Sequence, residues 1–239
     1  MNKTIVASLA MLPVVTASVL SIASEANAAP LVGEFSISPG INVTDTEPFM
    51  QVTNATLFAD EIRFTPDPGA LLLSNQSETF SSFNAGSIKS IPASLIPSNG
   101  ATKDNPLVKN FLDLGNFPLG DPSITDETNT FSLLSIGDFM IEEMFDHNQS
   151  FTGTSISLGV SGFFTSADGQ LSDGTGTITF QSTLRKSGVE VALDSDEGLD
   201  ASFSGVFRSA SVPEPTTLAG LGLVAGSVIL SRSRKKKQG

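Results

Sequence analysis

Between residues 29 and 211 the chain is a succession of short apolar runs separated by turn-rich stretches, and most of the runs alternate apolar with polar at every second position. In 152–164, Thr154, Ile156, Leu158 and Val160 fall on one face and Ser155, Ser157, Gly159 and Ser161 on the other, the pattern of a strand buried on one side. Ile178 with Phe180, then Val189, Val191 and Leu193, then Phe203, Gly205 and Phe207 repeat it, at spacings that suit an antiparallel meander. Earlier strands are expected in 31–38, 49–56, 57–64, 71–73 and 131–136. Asp168-Gly169, Asp173-Gly174 and Ser187-Gly188 read as turns, because glycine relieves the positive φ that tight turns require. The pattern predicts a mainly β domain, an antiparallel β-sandwich of jelly-roll type.

Two segments break the alternation. Residues 106–114 carry Leu107, Val108, Phe111, Leu112 and Leu114 behind Asn105 as a cap, which predicts one short helix. Residues 138–147 fit either a second helix or a strand continuing from Phe131. Residues 81–104, rich in Ser, Asn, Gly and Pro, predict a long surface excursion.

The two ends of the chain have a different pattern. Met1 to Lys3 is a short positive region, Ile5 to Ile22 is mostly apolar, and Ala26-Asn27-Ala28 has the small-x-small form of a signal peptidase site. Cleavage is expected between Ala28 and Ala29, after a signal helix spanning 1–28. At the other end, Pro213-Glu214-Pro215 precedes an apolar stretch, 216–230, and a basic tail, 231–239, holding Arg232, Arg234, Lys235, Lys236 and Lys237. The prolines keep the tripeptide extended and accessible. The basic cluster holds the end of the apolar helix on the cytoplasmic side, so that the preceding domain lies outside the cytoplasm. The apolar stretch spans about 22 Å as a helix against roughly 30 Å of hydrocarbon, a weak permanent anchor.

This three-part tail, 212–239, resembles the PEP-CTERM sorting signal of bacterial exported proteins. The resemblance implies processing by a membrane-embedded exosortase, a transmembrane helix in 216–230 as a temporary anchor, and delivery to the cell envelope or extracellular matrix. Proteins carrying the signal are associated with exopolysaccharide and biofilm.

Composition narrows the remaining domain, 29–211. It holds 23 acidic and seven basic residues, a formal net charge of −16, which makes nucleic acid and anionic lipid poor partners. There is no Cys, so stability must come from an apolar core or bound ions. Every aromatic is Phe, 17 in all. Sugar-binding surfaces usually rely on Trp or Tyr, whose rings stack while a polar group hydrogen-bonds, so an aromatic stacking platform is disfavoured.

Candidate chemistry is sparse. The single histidine, His147, follows Glu142, Glu143 and Asp146, but lacks the second histidine of a helical zinc motif. No Gly-x-Ser-x-Gly elbow occurs, and Ser161 falls within an expected strand. Asp194, Asp196 and Asp200 place oxygen ligands close together around Gly198, a set that suits Ca²⁺, although the pattern departs from an EF-hand. The sequence therefore predicts a non-enzymatic, exported structural or adhesive protein, with a calcium-dependent polysaccharide-binding module and a secreted hydrolase as alternatives. Signal peptidase, the exosortase, the membrane and extracellular polysaccharide are the expected partners, and no cofactor other than Ca²⁺ is implied.

Overall fold

The computed structural model describes residues 30–44, 47–116 and 126–210. The signal helix, the Ala28–Ala29 site, Pro213-Glu214-Pro215, the segment 216–230 and the basic tail lie outside them. Among the described residues no helix is long and apolar enough to cross a membrane.

The strands are β1 (Gly33–Pro39), β2 (Ile41–Thr44), β3 (Glu47–Val52), β4 (Asn54–Leu57), β5 (Ile62–Thr65), β6 (Gly69–Ser74), β7 (Ala85–Ile88), β8 (Val108–Gly115), β9 (Thr130–Phe145), β10 (Phe151–Thr165), β11 (Leu171–Ser182) and β12 (Leu199–Ala210). One helix, α1 (Lys186–Leu193), joins β11 to β12, and a 3-10 turn occupies Glu78–Ser82. The antiparallel β architecture is as the alternation predicts. The strands do not divide into two facing sheets, however. Ten belong to one sheet, and because β1 pairs with both β6 and β12, the ring β1-β6-β7-β8-β9-β10-β11-β12 closes on itself. The result is an eight-stranded antiparallel barrel whose ring has no free edge where it closes. The β4–β5 hairpin pairs with β12 beside β1, and β2–β3 form a separate hairpin.

Alternation drives the closure. On β12, Leu199, Ala201, Phe203, Gly205 and Phe207 are buried, whereas Asp200, Ser202, Ser204, Val206 and Arg208 are exposed. The core is built from phenylalanine: Phe35, Phe80, Phe131, Phe164 and Phe207 touch one another at centroid separations between 4.6 and 6.0 Å. Three of these rings, Phe131, Phe164 and Phe207, fit because glycine stands against them. A Cβ on Gly174 would strike Phe164, and one on Gly176 would strike Phe207. Large and small residues thus alternate across neighbouring strands of the barrel wall.

Four segments differ from their sequence expectation, and one that the sequence leaves open between two readings is decided. Residues 106–114 form β8 rather than a helix, because Asn110 through Leu114 are buried on both faces of the sheet and so show no clear period. Residues 138–145 extend β9, the strand option. Val189 and Leu193 lie in α1, not in a strand, and Ser187-Gly188 begins that helix instead of making a turn. Residues 81–104 are not wholly excursion, since Ala85–Ile88 is β7, while Asp173-Gly174 lies inside β11.

Both ends of the described domain leave the barrel on one side. Gly33 faces Ser209, and the Leu31 carbonyl accepts hydrogen bonds from Ser172 Oγ and Ser209 Oγ at 2.5 and 2.7 Å. The β9–β10 turn, α1 and the β4–β5 hairpin lie at the opposite end, as β10 runs antiparallel to both its neighbours across its whole length.

Candidate functional site

The outer face of the sheet, at the end far from Leu31 and Ala210, carries a groove of about 660 Å³ across β11, β12, β4 and β5. Strand register explains its lining. Gln181 faces Ser202, Ala201 faces Ala55, and Asn54 faces Thr65, so Gln181, Ser202, Asn54 and Thr65 form one row running across four strands. Asp200, Thr56 and Arg63 form the next. Neighbouring strands lie roughly 4.8 Å apart, so each row offers polar groups at that repeat on a rigid backbone.

The second row is internally ordered. Thr56 donates to Asp200 Oδ1 at 2.7 Å, which fixes the carboxylate in the groove. Arg63 is held by both oxygens of Glu61 at 2.6 and 2.9 Å, and its guanidinium lies 4.4 Å from the centre of the Phe58 ring. The first row is unlike this: it presents two amides and two hydroxyls as donors and acceptors without an aromatic platform. Ser182 and Thr183 extend the hydroxyl lining. A surface of this kind is suited to a polyhydroxylated ligand bound by hydrogen bonds rather than ring stacking.

The residues singled out from the sequence are dispersed. Asp194 caps the end of α1, Asp196 lies in the turn that follows, and Asp200 stands on the outward face of β12 beside Thr56. Among the described residues no group of three or more His, Cys, Asp or Glu side chains is placed to hold a metal ion. His147 sits in the exposed β9–β10 turn. Its neighbour Asp146 is occupied in locking that turn, accepting the Asn148 and Ser150 N–H groups, each at 2.8 Å. Glu143 accepts Lys186 N–H at 3.0 Å and meets Arg185 at 3.4 Å, which ties β9 to the start of α1. Ser161 is the eleventh residue of β10 counted from that turn, so His147 and Ser161 are not brought together.

The sequence reading missed Asp113. It sits on β8 with 2 % of its surface exposed, one oxygen accepting Glu127 N–H at 2.9 Å and the other without a partner among the described residues. Burial pushes its carboxyl up to about 6, and the charges of Asp126 and Glu127 act in the same direction, against the Glu127 hydrogen bond and Lys89. The available signal was a lone acid inside the run Phe111-Leu112-Asp113-Leu114. The groove residues had no comparable signal, because their grouping depends on cross-strand register.

No protein-family model matches the chain, and neither a curated protein nor a solved structure shows significant similarity to it.

Proposed function

We propose that the chain is an exported bacterial protein, delivered through its N-terminal signal, sorted by the Pro213-Glu214-Pro215 tail, and displayed in the cell envelope or matrix as a structural or adhesive β-barrel. The observation that carries this reading is that the two ends of the described domain leave the barrel side by side: a barrel tethered through residues after Ala210 would hold its α1 end and polar groove away from the membrane. The acidic, cysteine-free surface fits a soluble exported domain. Over 200–208 the outward face of β12 carries Asp200, Ser202, Ser204 and Arg208 with Val206 as its one apolar residue, unlike the apolar belt of a membrane barrel. An epitope inserted in the turn 146–150 should be reached by antibody on intact cells, and one that appears only after cell lysis would refute surface display.

A second reading is favoured by the two polar rows: the groove binds extracellular polysaccharide. Asp200 lies within it, so Ca²⁺ shared with Asp194 and Asp196 would require the turn 194–198 to move toward β12. Calcium dependence is the distinguishing feature of that version.

A further inference from the structure

The barrel closes along most of its wall, but among the described residues one long edge has no strand partner. β8 pairs only with the first residues of β9, up to Leu133, and the Ser98 bridge to Ile136 is the last contact on that side. From Asp138 to Phe145, β9 is paired with β10 alone among the described residues. Its outer row of main-chain N–H and C=O groups therefore lacks strand partners over eight residues. Exposed edges of this length are usually blunted by proline, lysine or a covering loop. Here the inner-facing Phe139 and Ile141 pack against the core, while Met140 is 64 % and Phe145 54 % exposed.

The charges on the edge select the partner. Asp138 and Glu142 are exposed and flank Met140 on one face, and neither carboxylate has a hydrogen-bond or ion-pair partner among the described residues. No Lys or Arg occurs between 110 and 184. Of the nearby cations, Arg185 pairs with Glu143, which also accepts the Lys186 main-chain N–H, and no ion pair joins Lys186 to Asp138 or Glu142 among the described residues. A second copy is a poor occupant. Two-fold pairing about Met140 would set Asp138 against Glu142, and pairing about Ile141 would set Met140 against Glu142 and Phe139 against Glu143. Like charges, or a charge against an apolar side chain, then fall directly opposite one another.

We propose that the β9 edge from Asp138 to Phe145 receives an extended basic segment of another protein by antiparallel strand addition. The register defines the segment: basic residues opposite Glu142 and Asp138, and three apolar residues between them opposite Ile141, Met140 and Phe139. Main-chain hydrogen bonds supply affinity and the two basic residues supply selection. The inference is independent of the sorting tail and of the groove.

The test uses the full chain in mild detergent and a capped heptapeptide reading Ser, Lys, Val, Leu, Val, Lys, Ser, with binding followed by fluorescence anisotropy. Two versions of the peptide carry N-methyl groups on alternate amides, one set for each edge of the bound strand. Strand addition predicts that one methylated set weakens binding at least about tenfold while the other leaves it nearly unchanged. Asp138→Lys with Glu142→Lys should weaken the parent peptide by a similar factor and favour a peptide with Glu in place of Lys. Absence of parent-peptide binding, or equal binding by both methylated sets, would overturn the proposal. So would sedimentation showing that the chain forms a dimer through this edge and thereby excludes the peptide.

Discussion

Phe35 on β1 and Phe207 on β12 lie directly opposite each other, their rings 5.5 Å apart between centroids and 13° from parallel. They are separated by more than 170 residues of chain, and their pairing closes the barrel. Phe35 also meets Phe80 and Phe164, so it joins the closing seam to the rest of the core.

Truncating either ring leaves a cavity that the surrounding strands cannot fill. Phe35→Ala and Phe207→Ala are each expected to cost about 3–5 kcal/mol. Because the rings are in contact, the double variant should cost less than the sum of the two, as read by denaturant titration. Strict additivity would mean that the pair does not act as one seam.

Gly162 stands at a register shift between β9 and β10, and a Cβ there would run into the Ser132 carbonyl oxygen. Gly159, three residues earlier on the same strand, has open space around its missing Cβ. Gly162→Ala should therefore destabilise by about 1–3 kcal/mol and Gly159→Ala by no more than about 0.5, measured as shifts in thermal midpoint. Equal effects would contradict the β9–β10 register.

Asp113 makes stability depend on pH with an unusual sign for a carboxylate. Its folded value of about 6 exceeds the unfolded 3.8, so the folded state holds the proton more tightly. The contribution of this group is most favourable below pH 3.8, declines as pH rises to about 6, and is constant above that. The full span is at most about 3 kcal/mol. Asp113→Asn should remove that decline from the pH profile of stability and raise the thermal midpoint at pH 7.5. A profile unchanged by the substitution would show that the carboxyl is not the titrating group.

If the groove binds polysaccharide, Asn54→Ala and Gln181→Ala should each weaken retention on a neutral glycan matrix several-fold without changing the thermal midpoint, since both side chains are exposed. A calcium-dependent site would add a thermal shift with Ca²⁺ that is lost in Asp194→Ala/Asp196→Ala. Retention that survives both groove substitutions would place the ligand elsewhere.

Much of the strand content was legible in the sequence because one buried face and one wet face produce period-2 alternation, as on β10 and β12. The period fails where burial does not follow it. β8 is covered on both faces, so Val108 to Leu114 resembles a broad helical stripe. In α1 the apolar residues Val189, Val191 and Leu193 alternate, yet only Val189 and Leu193, four apart, are buried, while Val191 is 72 % exposed. Closure was not legible, because alternation says which face of a strand is inside and nothing about which distant edge it joins. The same limit hid the groove: Gln181, Ser202, Asn54 and Thr65 become neighbours only through register. Asp194, Asp196 and Asp200 show the converse, proximity in sequence that the end of α1 and the start of β12 pull apart.

The central claim is that the barrel is exported and sorted through its tail. The most direct measurement is the intact mass and location of the protein from its native envelope, for the wild-type chain and for Pro213→Ala/Glu214→Ala/Pro215→Ala. The account predicts a wild-type species that begins near Ala29 and lacks Arg232 to Lys237, with the variant retaining them and remaining in the membrane. A wild-type chain that keeps its Gly239 terminus, with the same location as the variant, would contradict it.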